Sequence, residues 1–427
     1  MAIDKFKKRS IHVNIALAHL IPAPFTQQVG RALHEAGMLN AFFCTLVDEP
    51  SSKWQACAKR LAALAKFDLA KDLKRRAVTE IPANLVRSYP AREAVRMTVN
   101  RLFRSQVVDD HIFHWARDGF DRWVAGQLDG LDGIYGYEYG SLAMFTRAKQ
   151  LGLKTIYDLP SPEHDFVERL LESEYARFPE LKTTYRARVV KLHEKRTGRR
   201  QQEWELADLI VANSTFTADS WKAAGWSAKN IAVVPYGAPP ISANLTETPA
   251  NGPLRVLWAG TFGVRKGAHY LIEAVESLNV SPGHFTIDVY GALSLPSDLM
   301  ARCGANFNIR GSVPRAELFE AMRQCDLLVF PTLCDGFGLV VNEAFSQGLP
   351  VLTTRRAGAA DLVRDGENGW LIEQGSATAL AEGLRRCLDE RANLANMREA
   401  ARQTAAAWQW SDYRREIASA AGCLTQK

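Results

Sequence analysis

The chain has 427 residues, is 47% apolar and carries a formal net charge of +6, so it can bury large cores and has length for two domains or more. Its modest positive balance suits anionic partners such as nucleotides, acidic glycans or a membrane surface without selecting one. Seven cysteines lie at 44, 57, 303, 325, 334, 387 and 423 with no CxxC pair, which excludes a signalled disulfide framework or zinc site, and no apolar stretch reaches the length of a membrane span.

The opening, MAIDKFKKRSIHVNIALAHL, imitates a secretory signal in being basic and then apolar. His12, Asn14 and His19 interrupt the apolar part, and a polar loop and helical pattern follow instead of a cleavage site, so IHVNIALA is predicted to be the first buried strand. Further short apolar runs follow at AFFCTLV, GIYGY, KTIYDL, DLIVANS and IAVVPYG. After a break they resume at RVLWAG, FTIDVYG, FNIRG, DLLVFPT, PVLTT and GWLIE, with helical stretches between them. Strands alternating with helices predict parallel sheets of βαβ units. The break, GAPPISANLTETPANGPL at 237–254, is rich in proline, glycine, asparagine and threonine and reads as a linker. The expected organisation is an α/β domain over 1–240, a linker over 241–253 and a second α/β domain over 254–410, facing the first across a cleft. Two stretches exceed a minimal doubly wound domain. Residues 52 to about 125 and 166–206 carry helical patterns dense in arginine and lysine. They read as solvated helix faces laced with ion pairs, or as an amphipathic surface for anionic lipid or a lipid-linked substrate.

Chemistry concentrates after two strands of the second half. RVLWAG runs into TFGVRKGAHYLIEAVESL, where Gly260, Gly263 and Gly267 surround Arg265 and Lys266. Arginine can grip two phosphate oxygens, lysine adds a point charge, and glycines let backbone approach closely, as in a phosphate cradle. Exposed basic residues at a strand end are the alternative, and GKS or GKT of a P-loop is absent. The second place is CDGFGLVVNEAFSQGLP at 334–350. Gly336 and Gly338 favour a tight loop carrying Asp335, with Glu343 in an early turn of the helix that follows. Both carboxylates could then reach one ligand at the carboxyl end of a strand. A capping acid plus an exposed helical glutamate would give the same pattern. No GxGxxG with a downstream acid follows the first strand, which argues against a nicotinamide-dependent dehydrogenase.

Taken in order, AGTFGVRKGAHYLIEA, VYGA, IRGSVPRAELFEAMRQCDLLVFPTLCDGFGLVVNEAFSQGLPVLTT and GAADLVRDGENGWLI resemble the donor-binding domain of retaining family 4 glycosyltransferases with the two-Rossmann GT-B fold. ELADLIVANSTFTADSWKAAG and IAVVPYG resemble the stretch before that family's linker, so the likeness spans roughly residues 200–375. It implies two Rossmann-like domains, with a C-terminal helix at about 411–427 returning to the first. It assigns Lys266 to the donor diphosphate, with Arg265 available for a further charge because Thr261 stands where the family often has arginine. Glu343 matches the glutamate that binds ribose hydroxyls. Asp335 occupies the place of the glutamate that contacts the transferred sugar, one methylene shorter. The backbone N–H groups of Phe337, Gly338 and Leu339 would hold sugar hydroxyls and phosphate, Gly263 lies in the phosphate loop, and Gly311 to Val313 lie near the base.

On the acceptor side, His164 in IYDLPSPEHDF resembles the family's histidine near the reactive end of the sugar, or else is a surface or capping histidine. Glu138, Asp158 and His19 are further candidates at strand ends. The implied reaction transfers a sugar from a nucleoside-diphosphate sugar to a hydroxyl on a glycan or lipid-linked acceptor, in cell-surface glycan or glycolipid synthesis. No metal or other cofactor and no nucleic acid partner is expected. The expected location is the cytoplasm, with peripheral contact at the inner face of a membrane. A hydrolase or epimerase on the same fold, and a catalytically silent partner subunit, are the rival readings.

Overall fold

The computed structural model describes residues 13–64, 68–103, 105–182, 184–226, 229–243 and 252–425. Most of the expected linker and the basic opening therefore lie outside the described residues. The strands of the first half are β1 (Ile15–Ala18), β2 (Leu39–Cys44), β3 (Val86–Ser88), β4 (Gly133–Tyr137), β5 (Lys154–Leu159), β6 (Leu209–Ala212) and β7 (Ile231–Val233). Those of the second are β8 (Leu254–Ala259), β9 (Phe285–Tyr290), β10 (Phe307–Gly311), β11 (Leu327–Phe330), β12 (Val351–Thr354) and β13 (Gly369–Ile372). Every apolar run expected to be a strand is one. The sequence reading missed β3, whose three partly exposed residues are too few to show a period.

The first sheet has the order β3-β2-β1-β4-β5-β6-β7, and the second β10-β9-β8-β11-β12-β13. The pairs β1–β2, β1–β4 and β4–β5 are parallel, as are β8–β9, β8–β11 and β11–β12. Both are Rossmann-like sheets that build outward from one strand and then restart on its other side. The reversal falls between β1 and β4 in one and between β8 and β11 in the other. Loops leaving two such strands diverge, which opens a crevice at their carboxyl ends.

Contact density divides the chain into two compact units: Met1–Asp158, Leu192–Ile210 and Arg414–Lys427, and then Leu159–Lys191 with Val211–Tyr413. In the first, Ile15, Leu17, Phe42, Ile134, Phe145 and Ile156 are buried, as near-continuous apolar strands covered on both faces require. Within the same unit Arg414 donates to Glu35 and Gln28. In the second, Val256, Trp258, Ile272, Phe285, Val329 and Trp370 belong to one core.

The arginine-rich stretches form helices over Lys53–Leu64, Leu69–Lys74, Pro90–Phe103, Gln106–Ala125, His164–Arg177 and Thr184–Leu206. The expectation of solvated faces holds only in part, because several of these arginines brace the interior. Arg76 and Arg96 both pair with buried Glu93. Arg199 pairs with Asp121 and Glu203, which are 1% and 0% exposed. Such charges are tolerated inside because each is met by an opposite charge or a hydrogen bond.

Gly267, at the start of the helix Ala268–Leu278, has φ +76°, and a Cβ there would strike the carbonyl oxygen of Pro331 after β11. Gly267→Ala is expected to destabilise the fold by about 1–3 kcal/mol through left-handed strain and loss of this approach. A thermal melt indistinguishable from wild type would contradict that close contact.

Candidate active site

The loop after β8 turns at Gly260, which has φ +121°. It is held by the Phe262 N–H donating to Ala292 O, and Phe262 and Val264 are buried. These anchors fix the short turn Val264–Lys266, so Arg265 and Lys266 stand directly before a helix N-terminus. Gly263 is extended, and what glycine gives there is space: a Cβ would lie 3.1 Å from the Ser294 hydroxyl.

The loop after β11 is spliced to this turn. The Leu333 N–H and the Thr332 hydroxyl both donate to Arg265 O, at 3.0 and 3.3 Å. Lys266 Nζ meets the Asp335 carboxylate in an ion pair, and lies 5.0 Å from the centre of the Phe330 ring. Asp335 Oδ1 also accepts the Phe337 N–H at 3.2 Å, while the Asp335 backbone is tied to Arg356 O and Gly358 N–H. Gly338, at φ +85°, opens the helix Leu339–Ser346. Helix-start N–H groups have no partner within the helix and suit an anion or hydroxyls. Asp335 is thus a loop acid and Glu343 a helix acid, the arrangement read from the sequence, although Glu343 is in the second turn.

Glu343 is held 2.9 Å from Arg315, two residues after Val313, which is half-buried in the loop following β10. Burial raises the Glu343 pKa, and Arg315 opposes that shift by favouring the carboxylate. Burial, and next the Arg265 charge, push Lys266 down to about 7. The Asp335 carboxylate against Lys266 acts in the opposite sense. The buried Cys334 thiol reports the surrounding field: burial raises its pKa, while Arg265, Lys266 and Arg356 all lower it. Three cations therefore converge on one short loop, and Arg356 is a member that the sequence reading missed. Its guanidinium packs 5.2 Å from the Phe166 ring centre and 5.9 Å from that of Phe216.

The same loop is clamped by residues preceding β8. The hydroxyls of Ser214 and Thr217 donate to Gly336 O. A Cβ on Gly336 would run into Pro160 O, and one on Gly358 into Gly336 O. Asn213 donates to Pro160 O. His164 follows at the start of the helix His164–Arg177, with Nδ1 3.1 Å from Glu163 and Nε2 3.4 Å from Asp165. These three side chains offer donor atoms within 4.8 Å of one another. Glu163 is also the helix cap, accepting the Phe166 N–H, which gives the acid a structural use. The clamp could have been suspected from NSTFT, where Ser214 caps a helix, but its partner Gly336 lies too far along the chain for any local pattern to reveal.

Within the first unit, His19 follows β1 and its ring packs edge-on to Tyr137, 4.6 Å between centres. Burial pushes its pKa down to about 4, so it is neutral at pH 7. Glu138, after β4, pairs with Arg200. Its neighbour Tyr139 has φ +67°, an unusual backbone for a bulky residue. That turn is held by buried Glu203, which accepts the N–H groups of Tyr139 and Ser141 and the Tyr157 hydroxyl. Asp158 is 1% exposed and accepts the Tyr135 hydroxyl at 2.6 Å, and burial lifts its pKa to about 7. It is a buried strand-end carboxylate, whereas His19 and Glu138 sit at the β1/β4 reversal.

Each sheet is Rossmann-like and carries charged side chains at its strand-order reversal, and the chain has the two-Rossmann GT-B fold. Residues 253–390 match the family described as Glycosyl transferases group 1. The chain is 28% identical over 186 residues to the amylovoran biosynthesis glycosyltransferase AmsK of Erwinia amylovora, covering 41% of this chain and 46% of that one. It is 34% identical over 139 residues to the lipopolysaccharide glucosyltransferase WaaG of Escherichia coli, covering 32% and 37%. The matches thus span less than half the length of these curated relatives. In fold it is similar to HepE of Anabaena, solved in complex with UDP, with a TM-score of 0.62, 17% identity, and 96% of this chain and 100% of that one covered.

A diphosphate bound at this loop would compete with Asp335 for the Lys266 ammonium. Lys266→Met is expected to weaken binding of inorganic diphosphate by roughly the 1.5–3 kcal/mol of a charged hydrogen bond, measured by calorimetry at one fixed pH. Unchanged affinity in that variant would remove the diphosphate role of Lys266.

Proposed function

We propose that the chain is a retaining glycosyltransferase that moves a sugar from a nucleoside-diphosphate donor to a hydroxyl acceptor in the synthesis of a cell-surface glycan or glycolipid. The observation that carries this reading is the splice between the loops after β8 and β11, which sets Lys266 against Asp335 within a field shared with Arg265 and Arg356. A sugar diphosphate needs that cationic field for its leaving group. Glu343, kept ionisable by Arg315, suits ribose hydroxyls, and Asp335 suits a hydroxyl of the transferred sugar. As the anomeric bond lengthens, positive charge grows on the sugar and negative charge on the diphosphate, so preorganised cations lower the barrier. The leaving phosphate then takes the acceptor's proton, with no metal ion invoked. His164 lies on the segment that packs on the Gly336 loop, a position suited to the reactive end of the sugar. Homologous stretches in glycosyltransferases of amylovoran and lipopolysaccharide synthesis support the acceptor class. Among the described residues no helix is long and apolar enough to cross a membrane, and we place the reaction in the cytoplasm, at the inner face of a membrane.

Glu343→Ala should weaken nucleotide binding by roughly the 1.5–3 kcal/mol of a charged hydrogen bond, measured by calorimetry with the nucleoside diphosphate that best stabilises the protein. Unchanged affinity removes the ribose role. Asp335→Asn should retain nucleotide binding and lose transfer, assayed by product analysis with the best nucleotide-sugar. The contact of Asp335 with Lys266 also fits a silent subunit whose cation is already neutralised. Stabilisation of the wild type by no nucleotide-sugar would favour that reading.

A further inference from the structure

The arginine-rich insertion of the first unit holds two adjoining cavities of opposite character. One, of about 440 Å³, is an apolar groove between the helices Lys53–Leu64, Leu69–Lys74 and Pro90–Phe103, lined by Leu46, Trp54, Ala58, Leu73 and Leu102. Trp54 and Leu102 remain 48% and 72% exposed there, although burying such side chains would each be favourable. The other, of about 450 Å³, is lined by Arg75, Arg76, Arg96 and Arg101 together with Asp72 and Asn100. Met97 and Arg101 line both, so the apolar groove and the arginine pocket adjoin at these two side chains.

Two of the pocket's arginines are met by acids within the chain. Glu93 binds both Arg76 and Arg96, and Arg96 also reaches Asp109 at 3.4 Å. Arg76 is 8% exposed, and its Nη1 is buried with no hydrogen-bond partner. The pocket's other two arginines, Arg75 and Arg101, are exposed, and a phosphate there would offer their guanidinium groups bidentate acceptors. A protein or second-copy surface would need to match a basic pocket and an apolar groove at once. One small molecule class matches both: an apolar chain ending in a phosphate or diphosphate.

We propose that this paired cavity binds a lipid phosphate, with its hydrocarbon chain in the Trp54–Leu102 groove and its phosphate or diphosphate among Arg75, Arg76, Arg96 and Arg101. On the function proposed above, the occupant is the lipid-linked end of the acceptor. The site thus names the substrate class and assigns the insertion a substrate-holding role. Recognition is of one lipid molecule, by both its ends, and needs no bilayer.

The test uses the full chain without any sugar nucleotide, so its outcome is independent of whether transfer is the right activity. Farnesyl diphosphate, farnesol and inorganic diphosphate are titrated while tryptophan fluorescence is followed, with Trp54→Phe identifying the signal of the groove. Farnesyl diphosphate is expected to bind at least about tenfold more tightly than either half, because both cavities are filled together. Arg75→Ser/Arg101→Ser should cost about tenfold or more for farnesyl diphosphate and leave farnesol unchanged. Ala58→Phe, which fills the half-buried groove wall, should weaken both lipids and spare inorganic diphosphate. A melting temperature kept in each variant shows that the fold is intact. The proposal is overturned if farnesyl diphosphate binds no better than farnesol or if the arginine variant binds it normally. It is also overturned if only phosphatidylglycerol vesicles are bound, which would mean a membrane-surface contact, or if the groove signal changes only with protein concentration, which would mean self-association.

Discussion

Two hydrogen bonds to one carbonyl organise the second unit. The oxygen of Arg265 accepts from the N–H of Leu333 and the hydroxyl of Thr332, so the loop leaving β8 cannot shift without the loop leaving β11. These strands are neighbours in the sheet but lie about seventy residues apart in the chain, and the order reversal leaves room between their ends. Lys266 and Asp335 inherit their contact from that splice. The three cations reported by Cys334 are close together for the same reason.

Rigidity at this place comes from close backbone approach. Pro331 O occupies the space beside Gly267, Pro160 O that beside Gly336, and Gly336 O that beside Gly358. Ser214 and Thr217 then satisfy the Gly336 carbonyl. The glycines noticed in the sequence as loop formers are, at these positions, spacers that let chain segments touch. A loop held from several sides can keep like charges near one another, since it cannot relax to separate them.

The first unit solves a related problem with buried ion pairs. The turn after β4 carries Glu138 and the left-handed Tyr139, and its N–H groups point to Glu203. Arg199 neutralises Glu203 and Asp121 together, and Arg200 holds Glu138. Helices that look like charged surface in the sequence therefore serve as a brace for a strand-end turn. Their cost is desolvation, which raises the pKa of both Glu203 and Asp121 and is offset by the arginine and backbone donors.

What the sequence determined by itself was local. Apolar runs at strand length, separated by helical periods, gave the strand series, and glycines beside Arg265, Lys266 and Asp335 marked the two loops that the fold joins. Even the placement of Asp335 on a loop and Glu343 on a helix was legible, because glycine placement and helix propensity are properties of neighbouring residues. The tertiary structure alone decided that Lys266 meets Asp335, that Arg356 joins the same field, and that Asp158 turns toward Tyr135 inside the sheet. It also decided which arginines of the insertion became internal braces and which line a cavity. β3 escaped notice because three residues carry no period. The rest escaped because pairing across a sheet depends on strand order and register, which bring together side chains whose separation along the chain leaves no local trace.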